Sequence, residues 1–572
     1  MLTATFSRDE GFIDIRFRDL PEPIYGAELT YSLDGGAFHP CAIYPGKDMD
    51  ALLAATFWTW NQAVEFGRVK YAGRAKPVYW NLYLNRLHAH QGPVMLRADV
   101  LLENGVTREE VTLNLQPLEA VYLDVAEEWA ALLRDPALRD SAVGAGEKSV
   151  ALRVPAGVSG RYAVSVGLPG GGCAILLKAD GESRRYPFLV SAKHPELEDK
   201  ASKEIPWKTV ELAEGACIDI SLIPAAARDP KVLKPGSIAY LKLVPVPAAS
   251  ARTRKDDRTL ALYFEPYSWA HTYGLTKPAQ VREAMELYRE MGGTEVHNQL
   301  IRFGSRALHH SRVAERFEAG QMMADDGTFT SNPSNMVRAL DVLRETIHAC
   351  HALGLTHYAN AALSNCYPGT DFEERISREH PEWVTGSILR FNRPETRAYA
   401  AAVMAEFVEW GSDGVSVDCM RYPDFHTEED LVLLFREIRR AVDAAAKGRP
   451  VPLAVRLPAG DPVYYRAFET LVKEGAVQCV APSTVWPREP YVSVRPYLKW
   501  KDYGCRVLGV IDGWKTWVGT FCDSFQLELL LPPADIRADI RRHLRDGADG
   551  IFVYQADGHC ADPFNRTALN CK

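Results

Sequence analysis

The sequence has no run of eighteen or more apolar residues, so no segment reads as a membrane-crossing helix, and its polar start, Met1 to Gly11, lacks the apolar core of a secretory signal. No membrane partner is therefore expected. As written, the chain reads as cytoplasmic, or as exported to the periplasm or beyond where a signal peptide has been removed. An excess of positive charge is also missing. Lys and Arg number 66 against 74 Asp and Glu, a net charge of −8, which argues against nucleic acid as a partner. The 11 cysteines are odd in number and none lies within four residues of another, which excludes a disulfide framework and a paired-cysteine zinc site. Isolated cysteines of this kind are usually buried and reduced. No phosphate loop is present, because Glu147 separates Gly146 from Lys148, and Gly170-Gly171-Gly172 lies between two strand candidates rather than opening a helix. No cofactor is expected.

What is present is an ordinary globular mixture, 47% hydrophobic and 24% charged over 572 residues, long enough for several domains. Residues 1–115 carry short β-type runs broken at Leu33-Asp34-Gly35-Gly36 and Glu103-Asn104-Gly105, the second being a strong hairpin signal, and predict an antiparallel β domain. Its aromatics Phe57, Trp58, Trp60, Tyr79, Trp80 and Tyr83 form either a core stripe or a stacking platform for sugars. Residues 116–247 hold six strand candidates, from Ser149–Val154 to Ser237–Val244, with the Gly/Pro punctuation of a sandwich or jelly roll. Residues 248–258 read as a linker.

The texture changes at Thr259. Over 259–572, eight apolar β runs alternate with amphipathic helical stretches, the pattern of a parallel sheet closed as a (β/α)8 TIM barrel. The expected strands are Thr259–Phe264, Glu295–Gln299, Leu355–Asn360, Gly414–Asp418, Pro452–Leu457, Val477–Pro482, Arg506–Ile511 and Gly550–Tyr554. Asn332 or Ser334 is placed to cap a helix over Asn335–Leu353, and Thr427 to cap one over Glu428–Ala446. The fold expected is thus multidomain, with N-terminal β-sandwich-type domains ahead of a C-terminal barrel.

In such barrels the chemistry sits at the carboxyl ends of the strands, because the interior is filled by side chains. Those ends offer Glu265, His297, Asn298, Asn360, Asp418 with Arg421, Arg456, Ser483, Asp512, and Gln555 with Asp557 and His559. Asp418 is the sharpest, since an apolar strand stops there at a carboxylate. Arg421, three residues on, either holds it ionised by direct pairing or merely fixes the loop. The adjacent His309-His310 point apart and no H-x-H follows the first strand, so no metal is expected. No lysine stands at these ends, which weakens a Schiff-base reading.

The stretch His380-Pro381-Glu382-Trp383, then Phe391 to Arg397, and above all Asp413-Gly414-Val415-Ser416-Val417-Asp418-Cys419-Met420-Arg421-Tyr422-Pro423 resembles the glycosyl-hydrolase-like barrel families. The resemblance covers roughly 259 to 560, is strongest from 335 to 425, and rests on the D-x-x-R-Y-P element. It implies carbohydrate chemistry on a (β/α)8 barrel, with Asp418 catalytic or gripping substrate, and N-terminal β-sandwich modules as usual companions.

Glycoside hydrolysis needs two carboxyl groups flanking the scissile bond. With Asp418 as one, the second is Asp512 or Glu265, ranked equally, with Asp557 below them. Glu265, between Phe264 and Tyr267, has the apolar flanks that suit a proton donor. Arg421, Tyr422, Asn298, Asn360, Arg456, Trp269, Trp486, Trp514, Tyr554 and His559 are read as substrate-binding, with Tyr267, Tyr273 and Trp517 as further aromatics at the mouth. Arg302, Arg421 and Arg456 are also suited to gripping a carboxylate or sulfate. The sixth strand ends in Ser483 without a carboxylate, which keeps open a catalytically silent carbohydrate-binding barrel. A uronate lyase is the third reading.

Overall fold

The computed structural model describes residues 2–6, 13–17, 26–40, 79–82, 92–102, 105–115, 120–134, 151–168, 172–183, 185–190, 203–222, 236–246, 258–273, 275–318, 333–363, 365–420, 426–484, 491–512, 533–561 and 563–569. The chain divides into two compact units, Met1–Gly181 with Tyr186–Arg252, and Glu182–Arg185 with Thr253–Lys572. Antiparallel sheets make up the first and a closed eight-stranded barrel the second. Among the described residues, no helix is long and apolar enough to cross a membrane.

Turn chemistry sets the register of the N-terminal sheets. Asp34 and Gly35 both take positive φ, 51° and 72°, and Gly36 N–H donates to Leu33 C=O. That left-handed pair folds Gly26–Leu33 back on His39–Pro40, with Tyr31 opposite His39. The second hairpin joins Gly92–Leu102 to Gly105–Leu115, with Leu102 opposite Gly105. The aromatic cluster near Trp60 and the expected linker fall outside the residues whose side chains are described, except that Tyr79 and Trp80 belong to the strand Tyr79–Leu82. Two four-stranded antiparallel sheets follow. Lys203–Leu212, Gly160–Leu168, Tyr240–Pro245 and Val121–Asp124 form one, and Tyr186–Val190, Cys173–Ala179, Cys217–Leu222 and Ala151–Pro155 the other. Their strands bury Val166, Ile175, Phe188, Ile205, Trp207, Ile218 and Leu241, as expected of a sandwich. Within that core, Lys242 Nζ lies 3.0 Å from Glu204 Oε1, and Tyr240 O–H donates to Glu204 Oε2, so the buried charges are matched. The strands at Val121–Asp124 and Tyr186–Val190 and the helix Ala126–Arg134 were not foreseen.

The barrel strands, numbered here β1 to β8, are Thr259–Phe264, Glu295–Arg302, Thr356–Ala362, Gly414–Asp418, Leu453–Pro458, Cys479–Ser483, Arg506–Asp512 and Gly550–Tyr554. All neighbours are parallel, and Thr259 opposite Gly550 closes the ring. Tyr263, Tyr358, Ala454, Cys479, Ala481, Leu508 and Phe552 meet inside, which fixes the inward phase of each strand. His297 lies in the same space, stacked on Tyr358 at 4.6 Å. At the amino-terminal end, Arg506 donates to Glu295 and Tyr358 and plugs the floor.

Two differences from the expected boundaries matter for the site. β3 runs on to Ala362, so Asn360 lies one layer below the rim rather than on it. β2 runs on to Arg302 with a one-residue shift in register, Gln299 opposite Asn360 but Ile301 opposite Ala361. Such an extra residue turns the following side chains to the other face, which puts Arg302 on the inward side. The expected helix Asn335–Leu353 is two helices, Pro333–Ala339 and Val342–Leu353, because Asp341 takes an extended N-cap conformation between them. Asn332 lies outside the described residues, and Ser334 is inside the first helix rather than capping it. Thr427 caps Glu428–Ala446 as expected, its side chain accepting from Asp430 N–H at 3.1 Å.

The segment after β2 is fastened to the helix Pro394–Glu409 by two carboxylates, Glu409, which pairs with Arg312 at the surface, and the buried Glu406. Glu406 faces His309 Nε2 at 3.2 Å and accepts from Ser311 O–H and Arg312 N–H, each at 2.6 Å. Burial works against its charge, but the bonds from His309, Ser311 and Arg312 outweigh it and hold its pKa down to about 2, against an ordinary 4.5. A carboxylate depressed in this way stabilises the fold above its unfolded pKa and loses that contribution as pH falls through the folded value. Glu406→Gln is therefore expected to cost on the order of 2 kcal/mol at neutral pH. The gap to wild type should close between about pH 4.5 and 2, as measured by urea unfolding across that range; a gap that stays constant would refute the assignment.

Candidate active site

Seven polar side chains stand at or next to the carboxyl ends of the barrel strands and are joined through two arginines. Arg456 of β5 is buried and reaches sideways in both directions. Its Nη1 donates to Asp418 Oδ2 on β4 at 3.0 Å, and its Nη2 to Ser483 Oγ on β6 at 3.0 Å. Parallel register makes this possible, since Asp418 is opposite Arg456 and Arg456 opposite Ala481, two residues before Ser483. The guanidinium lies 3.5 Å from the ring centre of Tyr554 at the end of β8. The second Asp418 oxygen accepts from Met420 N–H at 2.9 Å. Burial disfavours the Arg456 charge, yet Asp418, Tyr554 and Asp512 together more than offset this and raise its pKa above the ordinary value.

The second arginine is Arg302. Its Nη2 donates to Glu265 Oε1 at 2.8 Å, and Ser268 O–H donates to Glu265 Oε2 at 3.1 Å. The immediate partners of Glu265 are thus a cation and a hydroxyl rather than the apolar flanks expected from Phe264 and Tyr267. Phe264 turns outward to Trp269 and Tyr288, at 5.6 and 5.7 Å, and Tyr267 packs on Phe372 at 5.1 Å. Tyr263, below Glu265 on β1, connects the two clusters, its ring 5.0 Å from Tyr554. Burial pushes its hydroxyl well above the usual phenol range, and the charges of Asp418, Tyr554 and Glu265 push it further. It is a neutral donor at any physiological pH.

The structure therefore brings together Asp418, Arg456, Asp512, Tyr554, Glu265 and Arg302 of the residues singled out in the sequence. Asn360 is inside the barrel one layer down, its Nδ2 donating to Ser416 Oγ at 2.8 Å. Asn298 is not among them. It alternates with inward His297 and faces the helices, where its amide lies 3.3 Å from His357 Nε2. Trp269 is also elsewhere, 1% exposed in the packing behind β1. Asp557 is buried in the short helix Ala556–Ala561 that follows β8. Arg421, Tyr422, Trp486, Trp514 and Trp517 lie outside the described residues, as do the side chains of Tyr273 and His559. Among the described residues, the partner of Asp418 is Arg456. Tyr263 was overlooked, although its signal was available: it shares a strand face with Glu265 two residues on.

Among the described residues, the rim arginines Arg302 and Arg456 are met by protein carboxylates, so neither is an uncommitted grip for a sulfate or carboxylate. Among the described residues, no three His, Cys, Asp or Glu side chains are grouped to hold a metal. What the arrangement can do chemically is present carboxylates and a neutral phenol to a substrate with hydroxyls at the mouth of a barrel.

No protein-family model matches the sequence, and a search of characterised proteins finds no match either. Solved structures similar to it include glycoside hydrolases. An alpha-L-fucosidase, isoenzyme 2, from Paenibacillus thiaminolyticus is 14% identical with a TM-score of 0.36, the match covering 55% of this chain and 49% of that one. A putative alpha-L-fucosidase from Bacteroides thetaiotaomicron is 10% identical at TM-score 0.35, covering 55% and 96%. A maltogenic alpha-amylase from Thermotoga neapolitana is 13% identical at TM-score 0.31, covering 54% and 75%. The match spans about half the length of the first fucosidase.

The Glu265–Arg302 pair yields a direct test of whether Glu265 is structural. Replacing Arg302 with Met leaves a buried carboxylate unpaired and should cost about 3–5 kcal/mol, whereas Glu265→Leu with Arg302→Met should recover most of it. Denaturant unfolding of both singles and the double closes the cycle; additive losses would show that the two charges do not depend on each other.

Proposed function

We propose that the protein hydrolyses a glycosidic bond in an oligo- or polysaccharide, using Asp418 and Asp512 as its two carboxyl groups. The observation that carries this reading is that one buried guanidinium, Arg456, feels both acids: it is hydrogen-bonded to Asp418, and Asp512 adds to the charge holding it protonated. The two acids end β4 and β7, well apart around the ring, as a pair flanking one bond must be. Asp418, oriented by Arg456 and Met420 N–H, takes the role of nucleophile or anionic stabiliser. Asp512, half-buried and on the other side of the mouth, takes that of proton donor. Glu265, engaged by Arg302 and Ser268, is left in a supporting role, and Tyr554 and Tyr263 offer a face and a hydroxyl to the sugar.

A second reading, a carbohydrate-binding barrel without turnover, draws on one observation. β6 contributes Ser483 to Arg456 instead of a third acid, and both Asp418 oxygens already have protein partners. The two readings separate by experiment. Asp512→Asn removes an acid while leaving the Asp418–Arg456 hydrogen bond in place, and is expected to lower kcat on a hydrolysed glycoside at least about a hundredfold. Asp418→Asn should do the same while also destabilising the fold, because Arg456 loses its counter-charge. Turnover that survives in both variants sinks the assignment. Glycan binding without product from the wild type selects the second reading.

A further inference from the structure

Beneath the rim lies a row of polar groups that the acid pair does not use. Gln299 on β2 and Asn360 on β3 are register partners, 1% and 2% exposed, and both face the barrel axis. Each has its amide nitrogen engaged, Gln299 Nε2 with Ile301 C=O at 3.4 Å and Asn360 Nδ2 with Ser416 Oγ at 2.8 Å. Neither carbonyl oxygen, Gln299 Oε1 or Asn360 Oδ1, has a partner among the described residues. A buried acceptor left without a donor costs about 1–3 kcal/mol, so two side by side call for an occupant that brings donors.

The orientation of the Asn360 amide is set from the floor of the barrel. Burial lowers the pKa of His297, so the ring is neutral, with one donor and one acceptor nitrogen. Its Nε2 lies 3.8 Å from the Glu295 carboxylate, which draws the proton to that side. Nδ1, 3.1 Å from Ser416 Oγ, is then the acceptor of the serine proton. A serine that donates to His297 accepts from Asn360, which fixes the Asn360 nitrogen toward Ser416 and leaves its oxygen turned away. Between the inward Tyr358 below and Asp418 and Arg456 at the rim, the wall from β3 to β6 carries Ala362, Ser416, Ala454, Ala481 and Ser483, small side chains where barrel interiors usually hold Val, Ile or Leu.

We propose that Gln299 and Asn360 form a hydroxyl-recognition subsite at the bottom of the active site, their two carbonyl oxygens accepting from ring hydroxyls of a neutral sugar. The inference rests on the glycosidase reading above and narrows it. Among the described residues, with Arg302 and Arg456 matched by Glu265 and Asp418, the recognition groups left over are these acceptors and the uncharged hydroxyl of Tyr263, which suit a neutral glycose and disfavour a uronate or sulfated sugar. Ser416 and His297 are positioning residues, acting only through the Asn360 amide.

The test uses the full chain with 4-nitrophenyl glycosides of neutral hexoses and 6-deoxyhexoses, and the monodeoxy analogue at each ring hydroxyl of whichever is hydrolysed. Gln299→Met and Asn360→Leu keep approximate size and remove the acceptor. Each is expected to lower kcat/KM on the parent glycoside about ten- to a hundredfold, and to have no effect on the analogue lacking the recognised hydroxyl. Ser416→Ala should show a weaker form of the same selective loss. An equal loss on the parent and on every analogue would overturn the proposal, as would no loss at all. Should Asn360→Leu fail to fold, Gln299→Met decides alone. If the wild type hydrolyses none of the glycosides, the glycosidase reading fails on its own. Calorimetric titration with the methyl glycosides then decides the subsite: binding weakened in both variants upholds it, and binding absent or unchanged removes it.

Discussion

A guanidinium buried at the mouth of a barrel requires counter-charge, and the architecture of the rim follows from meeting that requirement at Arg456. Its fork spans three adjacent strands, taking Asp418 from β4 and Ser483 from β6, while the face of Tyr554 covers the plane. A bidentate cation of this kind fixes direction as well as distance. Together with Met420 N–H, it locks the Asp418 carboxylate in one orientation. Lysine has the charge but not the fork, and would leave one of the two neighbours unbonded.

The same logic recurs around the ring in a second copy with different parts. Arg302 and Glu265 form a buried pair on β2 and at the end of β1, and Tyr263 lies between the two pairs, close enough to Tyr554 and to the charges of both acids to stay a phenol. Among the described residues, the two arginine charges of the mouth are thus met from within. A charged substrate entering it would disturb a network already closed, whereas a neutral one rich in hydroxyls exchanges hydrogen bonds without adding charge.

Much of this was legible in the sequence, and what was not has a common cause. The eight strands, the Thr427 cap and the termination of β4 at Asp418 depend on periodicity and capping within a few residues, so they could be read locally. The partner of Asp418 could not. Arg421, three residues away, lies outside the described residues, and the bond among the described residues is made by Arg456, 38 residues on, because neighbouring parallel strands are joined through a whole helix. Asn298 and His297 looked equivalent at a strand end, yet alternation sends one to the helices and the other to the axis, and only a fixed inward phase separates them. Trp269, an aromatic next to a strand end, is a core residue for the same reason.

The extra residue in β2 has a bearing on how such a barrel can diverge. Arg302 reaches Glu265 because the strand slips by one position between Gln299 and Ile301. A change that straightened the strand at unchanged length would set Ile301 opposite Ala362, in the lumen, and turn the arginine toward the helices. The polarity of this mouth is consequently heritable through a local slip in pairing as much as through residue identity, and a lineage could gain or shed a cation here by a change in the slip alone.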